Sequence, residues 1–160
     1  MLLFGCDLKK EQTMKKINFV LLAMLILAAC ATDKHARVTN PQKVLDAVSA
    51  KYPSDRNTLV FIGAPNGFVA PGLANSAVAE GIDNAKVVAI TSALALKTTT
   101  VIVAGEDEAL TATTLAQALK TGKDKINGSK VIVVGAKESQ KTLLDLAAAS
   151  GVGLEFIDNI

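Results

Sequence analysis

VIVAGEDEALTATTLAQALKTG, residues 101–122, stands beside VIVVGAKESQKTLLDLAAASG, residues 131–151, and the two decide the fold. They are offset by roughly 30 residues, the length of a strand–helix–strand unit. Each opens on a continuously apolar, β-branched run and closes on a glycine: Val101-Ile102-Val103-Ala104-Gly105 and Val131-Ile132-Val133-Val134-Gly135. A strand apolar at every position is buried on both faces, as in a parallel sheet covered by helices. An Ala/Leu-rich helical pattern follows each run and ends near another glycine, Gly122 or Gly151. Glycine after the strand favours a sharp turn, and glycine after the helix a left-handed cap.

Working outward, Leu59-Val60-Phe61-Ile62-Gly63 opens a third such unit, whose helix ends near Gly81. Leu154-Glu155-Phe156-Ile157 supplies a last strand. Asp83 to Lys97 reads either as a strand at Val87–Ile90 followed by a helix or as one buried helix. Val87, Ile90, Ala93, Leu94 and Leu96 approximate helical spacing, which favours the helix, with Asp83 or Asn84 as its cap. Before the repeats, Asn40 is an N-cap and Pro41 suits the first helical position. Val44, Leu45 and Val48 share one face of that helix, and Tyr52-Pro53 ends it. Lys123-Asp124-Lys125-Ile126-Asn127-Gly128 reads as a polar connection with an Asn-Gly turn. The expected fold is α/β: a small three-layer sandwich on a mostly parallel sheet of about four strands, built from repeated βα units.

The N-terminal end reads differently. In MKKINFVLLAMLILAAC, residues 14–30, two lysines precede an apolar run from Phe19 to Ala29. Basic n-region, short apolar h-region and small residues before a cleavage point make a secretory signal peptide. The ending Leu27-Ala28-Ala29-Cys30 resembles the lipobox of bacterial lipoproteins, in which the cysteine is lipidated and becomes the new N-terminus. That resemblance covers residues 14–30 and implies lipidation at Cys30. With Ala31 rather than aspartate next, it also implies the outer membrane; the domain is expected on the periplasmic side, and the residues leave periplasmic and surface orientation both open. From Ile17 to Ala29 the run is short of the roughly 20 residues that cross a bilayer. The expected organisation is an over-extended start over residues 1–13, a signal peptide over 14–29, a polar tether over 30–39 and one α/β domain over 40–160.

Of the 17 basic and 15 acidic residues, Lys9, Lys10, Lys15, Lys16, Asp7 and Glu11 precede Cys30, leaving 13 of each. A neutral domain has no electrostatic footprint for nucleic acid. The two cysteines are Cys6 and Cys30, so the mature domain holds no disulfide, no cysteine zinc site and no catalytic thiol. The single histidine, His35, falls in the tether. No Gly-x-Ser-x-Gly elbow occurs.

Three stretches merit a chemical reading. Gly135-Ala-Lys-Glu-Ser-Gln140-Lys141-Thr142 has the spacing of a phosphate-binding loop. Gln140 replaces the second glycine, putting a Cβ where the backbone must wrap a phosphate. A solvated first helical turn is the better reading. Glu106-Asp107-Glu108 is an acidic helix start rather than a cation site. The loop Gly63-Ala-Pro-Asn-Gly67-Phe-Val-Ala-Pro-Gly72 carries two prolines and three glycines and lies where parallel sheets bind ligands, beyond the strand ends. Asn66, Gly67 and Phe68 are its candidate ligand residues. No cofactor, metal or catalytic group is expected. Two functions follow: a lipid-anchored structural or interaction module in an envelope assembly such as a secretion, conjugation, pilus or surface complex, and a periplasmic small-ligand binder. For the first, the cue is an exposed strand edge, with the last strand as candidate.

Overall fold

The computed structural model describes residues 40–54, 56–64, 71–81, 85–158 and 160. In chain order the elements are α1 (Pro41–Lys51), β1 (Asn57–Ile62), α2 (Pro71–Ala79), α3 (Ala85–Ala95), β2 (Thr100–Gly105), α4 (Glu108–Ile126), β3 (Lys130–Val134), a 3₁₀ turn (Lys137–Ser139), α5 (Gln140–Ser150) and β4 (Gly153–Ile157). The four strands form one sheet in the order β1-β2-β3-β4, every pair parallel. The repeat in the sequence is the register itself: Val101 pairs with Val131 and Ile102 with Ile132.

Alternation along the strands sorts the core into two clusters. Val60, Ile62, Val101, Val103, Val131 and Val133 point to one side and pack under α2, α3, α4 and α5. Ile102, Ala104, Ile132, Val134 and Ile157 point to the other, with Val44 and Val48 of α1. Helices thus flank the sheet on both sides, four against one among the described residues. Leu115 and Leu119 of α4 and Ile102 and Ile132 of the central strands are fully buried. Each contributes about 1.5–3 kcal/mol of burial before its entropy cost.

Local signals explain the elements. The Asn40 side chain accepts the amides of Gln42 and Lys43 at 2.9 and 3.3 Å, capping α1. Thr111 and Thr114 are buried inside α4, and their hydroxyls donate one turn back to Asp107 and Leu110 carbonyls, both at 2.7 Å. Residues 85–95 are helix, with Val87, Ile90, Ala93 and Leu94 buried, as the helical spacing requires. Their expected caps, Asp83 and Asn84, lie outside the described residues. At the end of α5, Gly151 is left-handed at φ +67°, and Val152 donates to Ala147 at 2.9 Å and Gly151 to Ala148 at 3.2 Å, the Schellman pattern.

One helix end differs from expectation. α4 does not stop at Gly122 but continues to Ile126, so Lys123–Ile126 is helix and only Asn127-Gly128 turns. Gly122 is buried, and a Cβ there would stand 2.8 Å from Thr91 Cγ2 of α3. The glycine is a close-packing point between helices rather than a cap. No helix of the described residues is long and apolar enough to cross a membrane.

Candidate functional site

The carboxyl ends of the strands were the expected ligand edge. Asn66, Gly67 and Phe68 lie outside the described residues, as do Cys30 and His35. The neighbouring loops are described, and their polar groups hold one another. Glu106 accepts the Ala64 amide at 3.0 Å, and its own N–H donates to the Ile62 carbonyl at 3.0 Å, so the β2 loop braces the end of β1. Asp107 caps α4, accepting from the Leu110 amide at 2.8 Å. The Glu108 carboxylate lies over Gly135, 2.9 Å from where a Cβ would be. These three acids organise loops, and no group of three or more His, Cys, Asp or Glu among the described residues can hold a metal.

The phosphate-loop spacing also resolves into local structure. Gly135 and Ala136 are both left-handed, φ +79° and +61°, and turn the chain into the 3₁₀ segment. Ala136 tolerates that strained region while its methyl is buried in the core. Gln140 donates to Asp158 at 3.0 Å. Lys141 pairs one turn along α5 with Asp145 at 2.9 Å on the exposed surface. No amide nest and inward lysine converge there. The strand order contributes to this: it never reverses, so the sheet has no switch point at which flanking helices diverge to open a crevice.

A shallow, open depression of about 280 Å³ lies at the other end of the helices, lined by Lys123, Asp124, Asn127, Ala149, Ser150 and Gly151. Its inner groups serve the helix ends. Ser150 donates to the Leu119 and Leu146 carbonyls at 3.0 and 2.7 Å, and Asn127 packs on Gly151.

β4 forms one edge of the sheet. β1, the opposite edge, has α3 on one face and α1 on the other; β4 packs against α5 on one face, and on the other its Ile157 joins the cluster that holds Val44 and Val48 of α1. The Gly153 amide donates to Ser129 and the Gly135 amide to the Ile157 carbonyl, both at 2.9 Å. In a parallel ladder every second residue turns both backbone groups toward a given neighbour. Gly153, Glu155 and Ile157 therefore face β3, while the N–H and C=O of Leu154 and Phe156 face outward. No strand of the described residues pairs with that side. The Leu154 and Phe156 side chains are half-buried against the core, whereas Val131 and Val133 beside them are fully buried.

On the opposite face of β4, Glu155 meets Lys130 of β3 at 2.7 Å, both side chains partly exposed. The Lys130 ammonium and then the Tyr52 hydroxyl hold the Glu155 carboxyl below its ordinary range, against a smaller opposing effect of burial. Lys130 and Lys51 each lie 5.4 Å from the centre of the Tyr52 ring. Reading the sequence did not find this cluster, because it joins residues from α1, β3 and β4 whose proximity depends on the sheet register.

No protein-family model, no curated protein and no solved structure matches this chain.

Proposed function

We propose that the chain is a lipid-anchored envelope lipoprotein whose folded domain is an interaction module of an envelope assembly, with Cys30 as the lipidated residue. The observation that carries the interaction reading is the β4 edge, unpaired among the described residues, where outward backbone groups of Leu154 and Phe156 sit beside half-buried apolar side chains. The lipobox-like Leu27-Ala28-Ala29-Cys30 supports the anchor, and Ala31 after the cysteine supports the outer membrane. The acids at the strand ends are engaged in loop and cap contacts, so they favour a scaffold over a catalyst.

The test is to extract the tagged full chain from native membranes in mild detergent, crosslink it, and identify what copurifies in fixed ratio. Cys30→Ser is the unanchored control. Membrane recovery of the wild type, its loss in the control, and one stoichiometric envelope partner support the reading. A protein that stays soluble with Cys30 intact, or that is recovered alone, overturns it.

A further inference from the structure

We infer that Asn127-Gly128 is a self-modification site, converting asparagine to aspartate or isoaspartate, which the fold holds closed and an opening of the α4–β3 turn releases. It stands independently of the interaction reading. The residue types set the chemistry. Once a base takes the Gly128 N–H proton, that nitrogen attacks Asn127 Cγ, forming a C–N bond and a tetrahedral centre. The centre collapses by expelling Nδ2, which takes up protons and leaves as ammonia. Water then opens the five-membered imide. Cleavage at Cγ gives aspartate; cleavage at the backbone carbonyl gives isoaspartate, in which the chain runs through the side chain. One water enters and one ammonia leaves, with no oxidant or reductant. Both residues are exposed to that water, and glycine sets no side chain against the attack.

The folded geometry blocks the first step twice. The Gly128 N–H donates to the Gly151 carbonyl at 2.8 Å, which holds the proton that must leave. Ring closure also requires the Gly128 nitrogen to eclipse Asn127 Cβ about the Cα–C bond. At Asn127 φ −56°, ψ 132° the two stand more than a quarter-turn apart. Neighbouring bonds fix that angle: Ser129 donates to the Ile126 carbonyl at 3.1 Å and Gly153 to the Ser129 carbonyl at 2.9 Å, while Asn127 packs on Gly151. Rotation at Asn127 withdraws Gly128 from Gly151, so one local opening of the turn releases both blocks. The product then records the opening. Isoaspartate adds a carbon to the backbone between Asn127 Cα and Gly128, displacing the N–H from Gly151. Aspartate sets a carboxylate where a neutral amide stood.

The test is to incubate the full chain at mildly alkaline pH beside the blocked peptide acetyl-Ile-Asn-Gly-Ser-Lys-amide. Mass-spectrometric peptide mapping follows amide-to-acid conversion at Asn127, separately from the second Asn-Gly pair of the sequence, Asn66-Gly67. The folded chain converts at least about tenfold more slowly than the peptide, and urea above the unfolding midpoint removes the difference. Below the midpoint, conversion rises in step with amide hydrogen exchange at Gly128. Gly151→Ala, whose methyl collides with the Asn127 side chain, converts faster than wild type while circular dichroism still shows it folded. Should that variant fail to fold, the urea series on the wild type decides. Conversion of the folded chain at the peptide's rate, no conversion in urea, or a rate that does not follow Gly128 exchange overturns the inference.

Discussion

Thr91 Cγ2 on α3 lies 2.8 Å from the position a β-carbon on Gly122 of α4 would occupy. The two helices meet there with hydrogen where every other residue carries carbon. In a solvated helix, alanine for glycine gains about 1 kcal/mol. Here the added methyl meets a β-branched side chain that has little freedom to yield. Gly122→Ala therefore destabilises the domain by about 1–2 kcal/mol despite the better helix propensity. In a Thr91→Ser background the nearest obstruction is gone while Ile126 Cγ2 remains at 3.1 Å, so the same substitution costs less than in the wild type. Urea denaturation of the four proteins measures the difference.

Gly151 meets a different constraint. It holds φ +67° at the end of α5, and a Cβ there would collide with the Asn127 side chain. Gly151→Ala adds left-handed strain of about 1–2 kcal/mol to that collision. The melting temperature falls by several degrees, as expected of a domain this size. Asn127→Ala in the same chain relieves the collision but leaves the backbone strain, so it recovers part of the loss. Full recovery would show that the conformation itself costs nothing.

These two glycines mark how far the sequence was legible. Both close a helical pattern and look alike in one dimension. Gly151 is a cap because its left-handed backbone ends α5 and turns the chain into β4. Gly122 is passed through because Ile126, one turn on, is fully buried. β2 and β3 were readable from their β-branched runs, and α1 from Asn40 and Pro41. The strand order was not, since local pattern carries no information on which strands are neighbours. The Lys130–Glu155 pair was hidden for the same reason. Of the strand-end loops, the acidic start of α4 and the solvated first turn of α5 were legible, because both are set by residues near in sequence. The brace from Glu106 to Ala64 crosses 42 positions and was not.

Asp107 is the N-cap of α4, the longest of the described helices, with its carboxylate 2.8 Å from the Leu110 amide. Asp107→Ala leaves that amide unpaired and costs about 1 kcal/mol. Asp107→Asn keeps an acceptor and loses only the charge at the positive end of the helix, a few tenths of a kcal/mol. Thermal denaturation with the order wild type, Asn, Ala confirms the cap. An alanine variant as stable as wild type shows that Glu108 alone holds the helix start.

The Lys130–Glu155 pair makes stability depend on pH in a defined direction. The folded state holds the Glu155 carboxyl below its ordinary value, so the unfolded chain takes up the proton first as pH falls. Its contribution is therefore present above the ordinary glutamate range and disappears as pH drops through the lowered value. Both side chains are partly exposed, which limits the coupling to about 0.5 kcal/mol. A double-mutant cycle with Lys130→Met and Glu155→Gln reads that coupling at neutral pH. In acid, below the lowered value, the cycle closes to zero. A coupling unchanged across that range would mean the pair is held by packing rather than by charge.

Two proline substitutions one residue apart test the register on which the edge argument stands. Proline removes a backbone donor and is tolerated in sheets only where that donor faces away from a neighbour. The Glu155 amide faces β3, so Glu155→Pro breaks the ladder and costs about 3 kcal/mol or more, enough to unfold much of the population of a marginally stable domain. The Phe156 amide faces outward. Phe156→Pro then loses side-chain packing and adds only some backbone strain, and it stays close to Phe156→Ala in stability. Circular dichroism and urea midpoints of the three variants decide between the two phases of the strand. If Phe156→Pro unfolds the domain and Glu155→Pro does not, the outward groups belong to the other set of residues.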